Sequence, residues 1–271
     1  MVTVELDIFS GRPNPRWTLS PKEAQQLAER VRADPSQLLP LDSETGGLGY
    51  RGFIISAQDT GDVDAWKRAG LPAQVRLGGR FQPEALGSSR FLLHTAESAR
   101  LDLKDPGQVF GVAEKVLTRT AAAPHADGSG LACTSDTDFG FWNDPAYRRL
   151  NNCYNYASNL RTNTFAQPGR AAGSVWRALD DASLVAAVGR DGWSSSREGD
   201  SAYNVCLVVW PGTDYHLYRL AENGTWCHKP GPAAVRNVDN SGKRILAPET
   251  SDRGAYTAFY GYYRGFGVNV S

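Results

Sequence analysis

Asp214-Tyr215-His216-Leu217-Tyr218-Arg219-Leu220-Ala221-Glu222-Asn223-Gly224-Thr225-Trp226-Cys227-His228-Lys229 is the stretch that decides the fold. Its first arm alternates apolar and polar residues, Glu222-Asn223-Gly224 is a strong turn signal, and the second arm returns in extended form, so it reads as one β-hairpin. The length of the turn decides where the two histidines fall. A two-residue Asn223-Gly224 loop pairs His228 with Arg219 and sends the rings to opposite faces. A three-residue Glu222-Asn223-Gly224 loop, with Gly224 left-handed in a G1 bulge, pairs Ala221 with Thr225 and His228 with Tyr218. Both rings then share a face. If His216 and His228 serve one site, the three-residue loop is required.

Working outward, Asn204-Val205-Cys206-Leu207-Val208-Val209-Trp210 is β-type and almost wholly apolar, which predicts a central strand buried on both faces. Upstream, Asn151-Asn152-Cys153-Tyr154-Asn155-Tyr156-Ala157 puts a cysteine just behind a good N-cap residue, Asn152. Cys153 is therefore expected in the first turn of a helix, where unpaired amides favour a thiolate. A second helix is expected over residues 174–188. The aromatic tail, Tyr256 to Phe266, reads as an edge strand or helix packed on the sheet.

The order of a helix-borne cysteine, an apolar strand, a histidine strand and a further polar strand resembles the papain-like fold, in particular the NlpC-type cysteine peptidases and amidases. The resemblance covers about residues 140–235 and departs from the family where Asn152-Cys153-Tyr154-Asn155 stands for the usual Asp-Cys-Ser-Gly. It implies a papain-like domain over residues 131–271, its helix-borne Cys packed on an antiparallel sheet. The first half, which the resemblance does not cover, mixes strand and helix patterns and reads as an α+β domain of unknown role over residues 1–130, so the whole is an α+β protein. The resemblance implies Cys153 as nucleophile, His216 as its base and His228 as the group that holds the imidazole, with Asn237, Asp239 and Asn240 as competitors for the third role. The Cys153 amide, with Asn151 or Asn152, would face the oxyanion, and Trp142 and Trp193 would line the cleft or pack in the core. The implied substrate is a peptide or other amide, cell-wall peptide included. An acyltransferase or transpeptidase using the same thiolate, and a non-catalytic binding module, are the alternatives.

Composition bounds the remaining choices. With 271 residues, 41% hydrophobic and 21% charged, the chain can bury a core. Its 29 basic and 29 acidic side chains cancel, so nothing points to nucleic acid or an anionic membrane. Four cysteines without a C-x-x-C pair argue against a zinc site or disulfide scaffold, and no cofactor motif follows a strand. A Cys206–Cys227 disulfide requires their strands to be neighbours. The alternating N-terminus reads as a strand and not a leader, which places the protein in the cytoplasm or on an export route that reads no N-terminal signal.

The first half gives strands near residues 2–9, 52–56, 74–77 and 90–94, with His94 a core histidine in the last. A helix from Pro21 carries a Ser20/Glu23 capping box, and a second spans residues 108–117. Residues 10–15 punctuate as a turn. Residues 121–138 are small and polar, a linker, and His125 within it is given no role.

Overall fold

The computed structural model describes all residues except 44–45, 58–63, 80–81, 119–138, 196–202 and 266–267. The expected linker, with His125 and the domain boundary at 130/131, lies outside the described residues. The protein is a mixed α+β chain with antiparallel sheets in two compact units. Unit 1 comprises Met1–Ile8 and Asn14–Ala123; unit 2 comprises Phe9–Pro13 and Pro124–Ser271. Five residues near the N-terminus, Phe9 read from sequence as the end of a strand and residues 10–13 as turn punctuation, are thus built into the C-terminal unit.

Unit 1 is a five-stranded sheet with helices. Its strands are β1 (Val2–Leu6), β2 (Arg16–Thr18), β3 (Leu38–Leu39), β4 (Phe53–Ala57) and β5 (Gln74–Leu77), in the order β2-β1-β4-β5-β3. Helix α1 (Pro21–Ala33) starts with the expected capping box, Ser20 and Glu23 satisfying each other's amides, and buries Ala24, Leu27, Ala28 and Val31. α2 (Asp64–Arg68), α3 (Leu86–Ser98) and α4 (Pro106–Thr118) follow. The strand expected at residues 90–94 is the middle of α3, whose buried Ser89, Leu92, Leu93 and Ala96 repeat at helical spacing. A window of five residues hid that period. His94 accordingly lies on the exposed side of α3, near Glu97, and is not a core histidine.

In unit 2, beyond Phe9–Pro13, the helices among the described residues include α5 (Phe139–Asn143), α6 (Cys153–Ala157) and α7 (Asp181–Arg190). Its sheet holds β6 (Ser194–Ser195), β7 (Val205–Trp210), β8 (Asp214–Leu220), β9 (Trp226–His228) and β10 (Ala258–Arg264) in the order β6-β10-β7-β8-β9. β7 is buried along its whole length, as an interior strand must be. The aromatic tail forms β10, an interior strand between β6 and β7, not an edge. The helix expected over 174–188 starts only at Asp181: Asp180 caps it through the Ser183 amide, and it runs on through Gly189. The Ser183 hydroxyl takes the amides of Arg177 and Ala178, which turns residues 177–180 away from helix.

α6 packs on β8, and its core cluster joins Cys153, Tyr154, Leu207, Val209, Tyr215, Leu217 and Trp193. β8 separates Cys206 on β7 from Cys227 on β9, so the strands are not neighbours. Cys206 is a free thiol and Cys227 is disulfide-bonded elsewhere, so the Cys206–Cys227 bridge does not form.

Candidate active site in unit 2

The hairpin has the three-residue turn. Tyr218 pairs with His228, Arg219 with Cys227 and Leu220 with Trp226. Ala221 and Thr225 close the loop through a 2.9 Å bond, and Gly224 is left-handed at φ 77°. Any side chain there would be strained, so this glycine fixes the register. The two histidines consequently share a face, with His216 Nε2 2.9 Å from His228 Nδ1.

The proton positions follow from the far end of this chain. His228 Nε2 lies 3.1 Å from the Val238 carbonyl, which can only accept, so Nε2 carries hydrogen. In the neutral ring His228 Nδ1 then accepts from His216 Nε2–H, leaving a lone pair on His216 Nδ1. That lone pair meets the Ser10 hydroxyl at 2.5 Å, and Ser10 Oγ also accepts the Gly231 amide at 3.2 Å. A backbone carbonyl thus orients two imidazoles, with the basic nitrogen facing Ser10.

Cys153 is the first residue of α6. Asn152 caps it, accepting from the Tyr154 and Asn155 amides, while Asn155 answers through the Asn152 amide. The sulfur is fully buried, and its pKa is pushed up to about 12 by burial and by the nearby Asp214 carboxylate. The neighbouring Leu217 amide, Ser10 hydroxyl and Lys229 charge act in the opposite direction. The thiolate expected from the helix start is therefore absent in this state: one turn of helix does not offset complete desolvation. Ser10, His216, His228 and the Val238 carbonyl form one hydrogen-bonded series, and Cys153 lies beside its Ser10 end.

The remaining expected site residues sit elsewhere. Asn151 spends both side-chain N–H groups on the Tyr147 carbonyl and Asn163, holding a loop, so it is no oxyanion donor. Asn152 donates to the Ala166 and Gly11 carbonyls at 2.7 and 2.6 Å. Trp142 is buried against Tyr156, Ala221, Cys227 and Val235, and Trp193 stacks on Tyr154. Both are packed in core. Asp239 organises a turn: partial burial raises its pKa, but the Asp252 amide, the Ser241 hydroxyl and the Lys243 amide outweigh it and leave it lowered. The Asn240 amide is bonded to the Asp252 carbonyl, and the Asn237 carbonyl accepts from Ile245. The stretch reaches the imidazoles through the Val238 carbonyl.

Several participants escaped the sequence reading. Asp214, wholly buried, accepts the amides of Ser10 at 2.5 Å, Gly11 at 3.3 Å and Arg12 at 3.1 Å, and the Tyr256 hydroxyl at 2.5 Å. Burial raises its pKa against these bonds. Lys229 is buried and donates to the carbonyls of Arg148, Asn151, Gly231 and Ala233, tying the approach to α6 to the loop after β9. Gln167 donates to the Gly11 carbonyl. The one available signal was Asp214 itself, a carboxylate at the start of a strand that otherwise reads as buried.

Among the described residues no group of three or more His, Cys, Asp or Glu side chains is arranged to hold a metal ion, and no helix is long and apolar enough to cross a membrane. The class so defined is an α+β protein whose second unit buries a cysteine beside a serine and two tautomer-locked histidines. No protein-family model matches the chain, and no solved structure does. Over 123 residues, 45% of this chain and 83% of the relative, it is 50% identical to insoluble matrix shell protein 1 of Ruditapes philippinarum. The chain belongs to the family of that protein.

Proposed function

We propose that unit 2 is a papain-like, cysteine-dependent acyl-transfer site that cleaves a peptide or other amide bond through a thioester at Cys153. The observation that carries this reading is the proton order of the histidines: Val238 C=O, His228 and His216 leave a lone pair on His216 Nδ1, on the side where the Ser10 hydroxyl lies beside Cys153. In the reaction the Cys153 proton passes to His216 Nδ1. The thiolate adds to the amide carbonyl, the C–N bond breaks, and the imidazolium returns the proton to the departing amine. Water then hydrolyses the thioester, with the same nitrogen as base. His228 holds the ring and, through Nδ1, steadies the imidazolium charge. Burial keeps the sulfur protonated in this state, so the reaction needs the site opened to substrate.

The test is to incubate the full chain with a peptide library and hydroxylamine, which captures a thioester as a hydroxamate. Hydroxamates that vanish in Cys153→Ala and in His216→Ala support the reading; their absence from the wild type contradicts it. Adding an amine acceptor separates hydrolase from acyltransferase or transpeptidase by the product formed. The relative's name favours a second reading, a non-catalytic component of an insoluble shell matrix. That reading expects no hydroxamate. A disulfide at Cys227 fits an oxidising compartment, and with the relative's name it leads us to infer an exported protein and not a cytoplasmic one.

A further inference from the structure

We propose that Asn152, Gln167 and Tyr215 form a carbonyl-binding subsite for an extended peptide with glycine at its centre, and that residues 9–13 fill it as a built-in ligand. Three side-chain donors converge on one backbone oxygen. Gly11 O accepts from Asn152 Nδ2 at 2.6 Å, Gln167 Nε2 at 2.7 Å and the Tyr215 hydroxyl at 3.0 Å. A carbonyl has two lone pairs, so three donors exceed what an ordinary loop needs and suit an oxygen that gains charge.

The segment's other groups are also read. A Cβ on Gly11 would lie 2.5 Å from ring carbons of Tyr215, so the subsite refuses any larger residue. Asp214 takes the three successive amides of Ser10, Gly11 and Arg12, and the Thr213 carbonyl takes the Arg12 guanidinium. The Ser10 hydroxyl occupies the basic nitrogen of His216 and lies beside the Cys153 thiol, between the two groups that would have to meet a substrate. Main-chain recognition of amides and carbonyl together with a glycine filter is the signature of a peptide site. The inference rests on the acyl-transfer reading only in equating the Gly11 carbonyl with a scissile one; the binding itself requires no turnover.

The test measures alkylation of individual cysteines in the full chain by iodoacetamide at pH 8, read by peptide mapping. Cys206, buried and free in the same sheet, reports general unfolding. Gly11→Ala should raise the Cys153 rate at least about tenfold while Cys206 stays protected, as expected for a local opening. Tyr215→Phe keeps the ring but removes one donor, and should raise it several-fold. A synthetic acetyl-Phe-Ser-Gly-Arg-Pro-amide, at the roughly millimolar level that competes with a tethered segment, should restore protection to Gly11→Ala. The same peptide with alanine for glycine should not. Cys153 and Cys206 reacting together, an unchanged Cys153 rate in both variants, or equal protection by the two peptides would overturn the proposal. A positive result with no hydroxamate from any peptide would leave a peptide-binding unit and sink the enzyme alone.

Discussion

Both units bury a carboxylate completely, and they treat it differently. In unit 1, Asp7 meets two buried guanidiniums: Arg51 at 2.7 and 3.0 Å on Oδ1, and Arg76 at 2.9 Å on Oδ2. In unit 2, Asp214 is met by backbone amides and a tyrosine hydroxyl, and the titratable groups it acts on include the Cys153 thiol and the Tyr215 phenol. The first arrangement balances fixed charges, and arginine does not give up its proton. It is a fastening. The second is built of groups whose protons can move, which is what chemistry requires. Burial depth alone does not separate a structural polar network from a functional one; the protonation freedom of its members does.

The comparison breaks most readily at Asp7. Asp7→Ala leaves two buried guanidiniums without their carboxylate and should cost about 3–5 kcal/mol in urea unfolding. Asp214→Asn keeps an acceptor and exchanges only one oxygen for a donor facing the Ser10, Gly11 and Arg12 amides, so it should cost about 1–3 kcal/mol. If the two losses are equal, Asp214 is held as rigidly as an ion pair and the contrast fails.

A smaller effect sharpens the picture of the sulfur. The folded-state pKa of Cys153 is raised from 9.0 to about 12, so above pH 9 the unfolded chain loses this proton first. Stability must then fall as pH rises from 9 towards 12, and below pH 9 the group contributes nothing to the pH dependence. Wild type should lose about 1.4 kcal/mol more than Cys153→Ala for each unit in that window. The other raised groups, Cys206 and the buried tyrosines, are common to both proteins and cancel. Parallel pH curves would mean that the sulfur is solvated.

Local signals in the sequence were readable where one or two residues dictate the backbone. Gly224 fixed the hairpin register, and Ser20 with Glu23 fixed the start of α1. α3 was misread because an apolar triplet carries no period, and the start of α7 because the helix expected over residues 174–188 ran through its true cap, Asp180. In the site, His216 and His228 were legible because a turn joins them. Ser10 and Gly11 were not, since they meet His216, Asn152 and Tyr215 across more than a hundred residues. A Ser-Gly-Arg-Pro stretch looks like a turn whether it lies in solvent or against a cysteine. The thiolate expectation failed for a related reason: a cap residue announces a helix start but says nothing of how deeply it is buried.

The central claim, that His216 activates Cys153, is tested most directly by a covalent probe. The full chain, as wild type and as His216→Ala, is treated with a glycine-containing peptidyl vinyl sulfone and its adducts are mapped by mass spectrometry. The account predicts one adduct, on Cys153, forming about 10²–10⁴-fold more slowly in His216→Ala. No adduct on Cys153 in the wild type, or equal rates in the two proteins, would contradict it.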